Sequence, residues 1–188
     1  MTSPSLLSAL LALQPLERMP RTGWIQAGMP WIETVAAHSH STALLVLALG
    51  ARVEPALDVD HACRLAVLHD VPEALLGDIP RSASELLPSG AKREAERRAA
   101  ELLLAPFGAG LERACGELAE QRTREARFTR ACDRLQLGLR LLGYLRGGAR
   151  VDRQFRDWIA AQELTEFAPC VELQRELVSA IDRIGEAS

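Results

Sequence analysis

The sequence predicts an all-α fold, on three observations. Helical spacing of apolar residues runs through nearly every segment, and no stretch sustains the apolar–polar alternation of a strand. Aromatic residues are only 4% of the chain while hydrophobic residues make up 48%. The core must then be built from Leu, Ala and Val, a composition that favours close-packed helices over sheets, which draw on β-branched and aromatic side chains. Finally, the strongest breakers, Pro and Gly, gather between the periodic segments.

Taken in order, a first helix is expected over about residues 5–18. An irregular arm follows, punctuated by Pro20, Gly23, Gly28 and Pro30. A second helix covers about 34–52, with Val35, Leu44, Leu45, Leu47 and Ala48 among its apolar positions. After the break at Glu54-Pro55, a third runs over about 58–77 with Asp58 as N-cap. Pro80 ends it, because the residue before a proline is pushed out of helical geometry. Helices over about 91–104 and 111–121 are separated by Pro106, Gly108 and Gly110. A long helix over about 124–145 stops at Gly147-Gly148, and two more cover about 152–164 and 171–184. The pattern is an α-helical bundle in one domain, 1–188, with a core over about 16–146 and C-terminal helices over about 152–184.

Charge and cysteines narrow the function. With 22 basic and 25 acidic residues the net charge is −3, which supplies no basic field for a phosphate polymer and argues against a nucleic-acid partner. The basic-looking stretch over residues 92–98 is interleaved with Glu94 and Glu96 and reads as a solvated helix face. Cys63, Cys115, Cys132 and Cys170 have neither a zinc-finger spacing nor the density of a disulfide framework. The apolar stretch over residues 6–13 is too short for a membrane span and lacks the basic flank of a signal peptide. The expectation is a cytoplasmic protein with free thiols and no membrane partner.

The chemistry concentrates in His38, the pair His69-Asp70, and Asp133. Imidazole nitrogen and carboxylate oxygen are the donors that suit a borderline divalent cation. Each site lies in an apolar helical segment: Leu44 to Leu49 follow His38, Leu65 to Leu68 precede His69, and Leu135 and Leu137 follow Asp133. Polar groups on inner helix faces are costly unless paired or metal-bound, and three such costs together suggest a shared centre. A lone histidine on a helix is more often a satisfied core or surface residue, and an HD dipeptide alone recurs by chance. The longer string from His69 to Pro80 is more specific. On one continuous helix Glu73 would share a face with His69 and Asp70, with Asp78 just beyond the helix end.

These residues resemble a known family. Glu33-Thr34-Val35-Ala36-Ala37-His38, the HDxxExxxGDIP string at 69–80, and the later Glu125-Ala126-Arg127 and Ala131-Cys132-Asp133 are similar to the HD-domain phosphohydrolases, in particular the small 5′-deoxynucleotidases. The arm Pro20-Arg21-Thr22-Gly23-Trp24 matches a recurrent motif of that branch, and the likeness covers about residues 16–144. The resemblance implies an HD-domain helical bundle with one divalent metal ion (Mn, Co, Fe, Ni, Zn or Mg) held by His38, His69, Asp70 and Asp133. It gives Glu73 a role beside the metal-bound water and Asp78 one in the substrate or proton network. It places Trp24 beside a nucleoside, and the arm's Arg21 at phosphate or sugar. It further implies a homodimer, and a small phosphorylated substrate whose phosphomonoester is hydrolysed, a nucleoside or deoxynucleoside 5′-monophosphate.

Some positions depart from the family pattern. Gly23 stands where an Arg commonly precedes the Trp, Ala27 where many relatives have an Arg, Ala37 where an acid is common, and Cys132 where Ala is frequent. None is a proposed ligand, and the arm changes bear on substrate identity. His40 lies on nearly the opposite helix face from His38 and is assigned to packing, as are Trp31 and Trp158; His61 reads as an exposed residue at a helix start. Two other functions are weighed. A dinuclear phosphodiesterase or an oxygenase on the same fold needs more imidazoles than His40 and His61 supply. A silent metal-binding regulatory module is disfavoured by the intact Glu73 and Asp78.

Overall fold

The computed structural model describes residues 5–186, and the ends of the expected 1–188 domain, 1–4 and 187–188, lie outside them. The described residues form helices and connecting loops, with a lone bridge between Pro20 and Thr34 in place of a sheet. The helices are α1 (Leu6–Leu13), α2 (Thr22–Gln26), α3 (Val35–Gly50), α4 (Val59–Leu68), α5 (Glu73–Leu76), α6 (Arg81–Ser84), α7 (Ala91–Leu104), α8 (Ala109–Glu120), α9 (Arg124–Arg146), α10 (Arg153–Ala160) and α11 (Ala168–Glu186). Several starts carry the side-chain cap that the sequence offers. Ser5, Thr34, Asp58, Thr123 and Asp152 each accept a hydrogen bond from a backbone N–H two or three residues on.

At the centre, α3, α4 and α9 pack on one another, and α10 and α11 close over α9. Val46, Leu49, Ala62, Ala66, Phe128, Cys132, Leu135 and Leu177 belong to this core. A second apolar cluster on the other side of α4 joins Leu65 and Leu68 to Ala100, Leu103 and Leu104 of α7 and Ala114 of α8. Helix α3 thus buries the stripe Val35, His38, Thr42, Leu45, Val46, Leu49. Of the apolar positions read from the sequence, Leu44 and Leu47 are exposed on the outer face. Both kinds of leucine sit in the same apolar run, so periodicity alone could not say which face turns inward.

Three elements differ from expectation. The first helix tightens into a 3-10 turn over Gln14–Glu17 at Pro15, and the arm winds into the short α2. The third helix is two pieces. Helix α4 ends at Leu68, and α5 begins after Pro72, whose ring removes an N–H donor from the ladder. Gly77, at φ 77°, closes α5 in a conformation that other residues rarely adopt. His69, Asp70 and Glu73 are therefore presented by a helix end and a following turn instead of by one continuous face. All four cysteines are free thiols, and no helix among the described residues is long and apolar enough to cross a membrane.

Candidate metal centre

The inner face of α3 carries His38, the C-terminal end of α4 delivers His69 and Asp70, and α9 delivers Asp133 from the helix that packs on both. One ligand atom each from His38, His69 and Asp133 lie within 4.8 Å of one another. His38 Nε2 is 3.0 Å from Asp133 Oδ1 and 3.7 Å from Asp70 Oδ2; His69 Nε2 is 3.1 Å from Asp70 Oδ2 and 3.8 Å from Asp133 Oδ1. Sequence positions 31 and 63 residues apart thus converge on one point, two nitrogens and two carboxylates facing each other.

Hydrogen bonds on the far side of each ring fix the rings in place. His69 donates through Nδ1 to the Ala66 carbonyl at 2.7 Å, and His38 Nδ1 lies 2.6 Å from the Gln136 side-chain oxygen. Both Nε2 atoms are then left for the centre, an arrangement typical of metal-binding histidines. His69 Nε2 is buried and lacks the alignment of a hydrogen bond with Asp70, so it has no hydrogen-bond partner. An unsatisfied buried imidazole nitrogen among carboxylate oxygens is the donor set of a borderline divalent cation, and the residues present fit one.

The charges strain against one another. Burial opposes the charged form of His69, but Asp70 and Asp133 outweigh it and push its pKa up to about 9. Burial likewise opposes ionisation of Asp70 and Asp133. The neighbouring His69 and Arg21 nonetheless hold Asp70 well below the usual carboxylate range, as the hydrogen bond from His38 and the charge of Arg130 do for Asp133. Glu73 goes the other way. Burial first, then repulsion by Asp70 and Asp78, raise it to about 9 against the opposing pull of Arg21. Its Oε2 is buried without a partner.

Arg21 reaches into this cluster from the arm. Its Nη1 is 3.3 Å from Asp70, 3.4 Å from Asp78 and 3.7 Å from Glu73, so one guanidinium serves three carboxylates. Asp78 holds the arm in turn: it accepts from the Thr22 backbone N–H, and its own carbonyl accepts from the Thr22 hydroxyl at 2.8 Å. The structure thus brings His38, His69, Asp70, Glu73, Asp78, Asp133 and Arg21 together.

Trp24 is placed differently. Its indole is 1% exposed, stacks on Phe155 at 5.0 Å between ring centroids, meets Tyr144 edge-on, and donates through Nε1 to Glu33. It therefore offers no free face to a nucleoside, a correction to the sequence reading. Its packing partners come from α9 and α10, more than a hundred residues along the chain. Two assignments to packing also change: Trp31 is 78% exposed and His40 is exposed. His61, expected to be exposed, is half-buried, with Nε2 3.0 Å from the Glu117 carboxylate, away from the centre. Reasoning from sequence missed Glu33 and Gln136, both buried polar residues behind His38. The signal for Gln136 was its spacing, one helical turn after Asp133.

Comparison with known proteins follows the same line. The HD domain family matches residues 13–171. The 5′-deoxynucleotidase HDDC2 of Xenopus laevis is 31% identical over 144 residues, which cover 74% of this chain and 69% of that one. The HDDC2 of Homo sapiens is 28% identical over the same length, covering 74% and 68%. The crystal structure of the PH0347 protein from Pyrococcus horikoshii OT3 superposes with a TM-score of 0.76 at 27% identity, over 95% of this chain and 99% of that one. With a family match spanning most of its length and the histidine–aspartate cluster at its centre, the chain belongs to the HD-domain superfamily of metal-dependent phosphohydrolases.

Proposed function

We propose that the protein is a phosphomonoesterase that uses one divalent ion and hydrolyses nucleoside or deoxynucleoside 5′-monophosphates. The observation that carries this reading is the convergence of His38, His69 and Asp133 beside an unpartnered, buried Glu73 oxygen. His38, His69, Asp70 and Asp133 would hold the ion. When bound, such an ion lowers the pKa of a coordinated water and polarises a phosphoryl oxygen. Burial and its acidic neighbours hold the Glu73 pKa at about 9 in the ion-free protein. A bound cation beside it would draw that value down toward the neutral range of a general base, and its free Oε2 is the atom to take a proton from the attacking water. Arg21, already balancing three carboxylates, is the cation best placed to meet phosphate oxygens through charge-assisted hydrogen bonds. Asp78 keeps the arm, and so Arg21, over the cluster.

The named HDDC2 relatives supply the substrate class in this proposal, and the geometry supplies the reaction type. Turnover of a panel of nucleoside 5′-monophosphates with several added metals, beside p-nitrophenyl phosphate, tests both. Arg21→Ala should raise KM for the nucleotide and for the small ester alike, since both carry the phosphate; parent-like KM for both removes Arg21 from phosphate recognition. A homodimer belongs to the same proposal and is supported by the exposed stripe of Leu6, Leu7, Leu10 and Leu11 on α1. Light scattering gives its mass.

A further inference from the structure

Behind the metal ligands lies a chain of hydrogen bonds in which the direction of every proton can be deduced. Glu33 precedes α3 with its side chain only 1% exposed. Its Oε1 accepts from Trp24 Nε1 at 3.0 Å, and its Oε2 accepts from Arg140 Nε and from Gln136 Nε2, both at 2.8 Å. An indole and a guanidinium can only donate, so both Glu33 oxygens are acceptors. The Gln136 amide must then turn its NH2 toward Glu33 and its oxygen toward His38, 2.6 Å from Nδ1. An amide oxygen can only accept, so His38 Nδ1 carries a proton.

We propose that Glu33 is a positioning residue for the metal site: through Gln136 it keeps the His38 proton on Nδ1 and the Nε2 lone pair directed at the ion. The inference rests on the metal reading given above. The relay has a competitor. Asp133 Oδ1 lies 3.0 Å from His38 Nε2 and, left alone, draws a proton onto that nitrogen, where it blocks coordination. The Gln136 oxygen on the opposite side of the ring offsets this pull. The same carboxylate explains why the arm's indole is inside: Trp24 donates to the group that orients His38, so arm and ligand share an anchor.

Removing the acceptor that sets the polarity tests the relay. In Glu33→Leu nothing holds the Gln136 NH2 away from His38 and that amide is free to flip, while Arg140, about a third exposed, can turn to water. The expected result is a loss of Zn²⁺ or Mn²⁺ affinity of about 10–100-fold, the usual effect of removing a group that orients a metal-bound histidine. Parent-like affinity in Glu33→Leu, with helical content unchanged, overturns the proposal.

A second reading needs neither metal nor a tolerant Glu33. Gln136→Leu leaves Glu33 bonded to Trp24 and Arg140. The ¹⁵N shifts of His38 in ion-free protein at alkaline pH report which nitrogen is protonated. The proton should be on Nδ1 in the parent and on Nε2 in the variant; the same nitrogen in both refutes the relay. Should the parent bind no divalent ion at all, the proposed function fails, while these shifts still decide the relay on their own.

Discussion

Glu73 stands at a cost to the fold that should be measurable once it is removed. In the ion-free protein its Oε2 is buried with no partner, and its Oε1 is 3.7 Å from Arg21, which keeps nearer partners in Asp70 and Asp78 at 3.3 and 3.4 Å. With its pKa raised to about 9, the group is held largely protonated at neutral pH, so what Glu73→Leu removes is chiefly an unsatisfied buried polar group. Such a group costs about 1–3 kcal/mol. At about 2–4 °C per kcal/mol for a chain of this size, Tm in the presence of a chelator should rise by about 2–12 °C. The same change removes the proton acceptor, so turnover of the metal-loaded enzyme should fall by about 10²–10⁴-fold. Thermal unfolding followed by circular dichroism, with single-substrate kinetics beside it, reads both. A more stable and inactive variant is the signature of a residue kept for chemistry. A lowered Tm, or turnover close to the parent's, refutes the reasoning.

Three other outcomes follow from the same charges and contacts. His69 is raised from 6.5 to about 9 in the folded protein, so its stabilising contribution is full below pH 6.5 and is lost as pH rises through 9. Glu73, raised from 4.5 to about 9, keeps a proton that the unfolded chain gives up, and its effect on stability declines over the range from 4.5 to 9. The two act together, and ion-free protein should be less stable at pH 9 than at pH 6.5 in urea titrations; equal or greater stability at pH 9 contradicts these settings. Trp24→Ala should destabilise by about 3–5 kcal/mol as an emptied aromatic core site does. Trp24→Phe, which keeps the stack on Phe155, should leave discrimination among nucleosides as in the parent; altered discrimination there would return Trp24 to the substrate.

The sequence carried the helices and the centre to different depths. Helix α7 is found over Ala91–Leu104, where periodicity and the flanking Gly90 and Pro106 place it, because local spacing and breakers suffice for an element bounded on both sides. His38, His69 and Asp133 stood out because each is a costly group in an apolar run, a signal that needs no knowledge of partners. The inward face of α3 was not legible, since Leu44 and Leu45 are equivalent until α4 and α9 choose between them. Pro72 was visible, yet the site was read on an unbroken helix; the turn it forces is what swings Glu73 under Arg21. Trp24 and Glu33 were misread or overlooked for one reason: their settings depend on Tyr144, Arg140, Gln136 and Phe155, contacts that no local pattern encodes.

The central claim is that His38, His69, Asp70 and Asp133 form one divalent-metal site on which activity depends. Elemental analysis of purified protein after reloading, set against the His69→Ala and Asp70→Ala variants at matched helical content, tests it most directly. The account predicts about one ion per chain in the parent, lost in both variants together with phosphatase activity. A parent that retains under about a tenth of an equivalent, or variants that hold metal as the parent does, would contradict it.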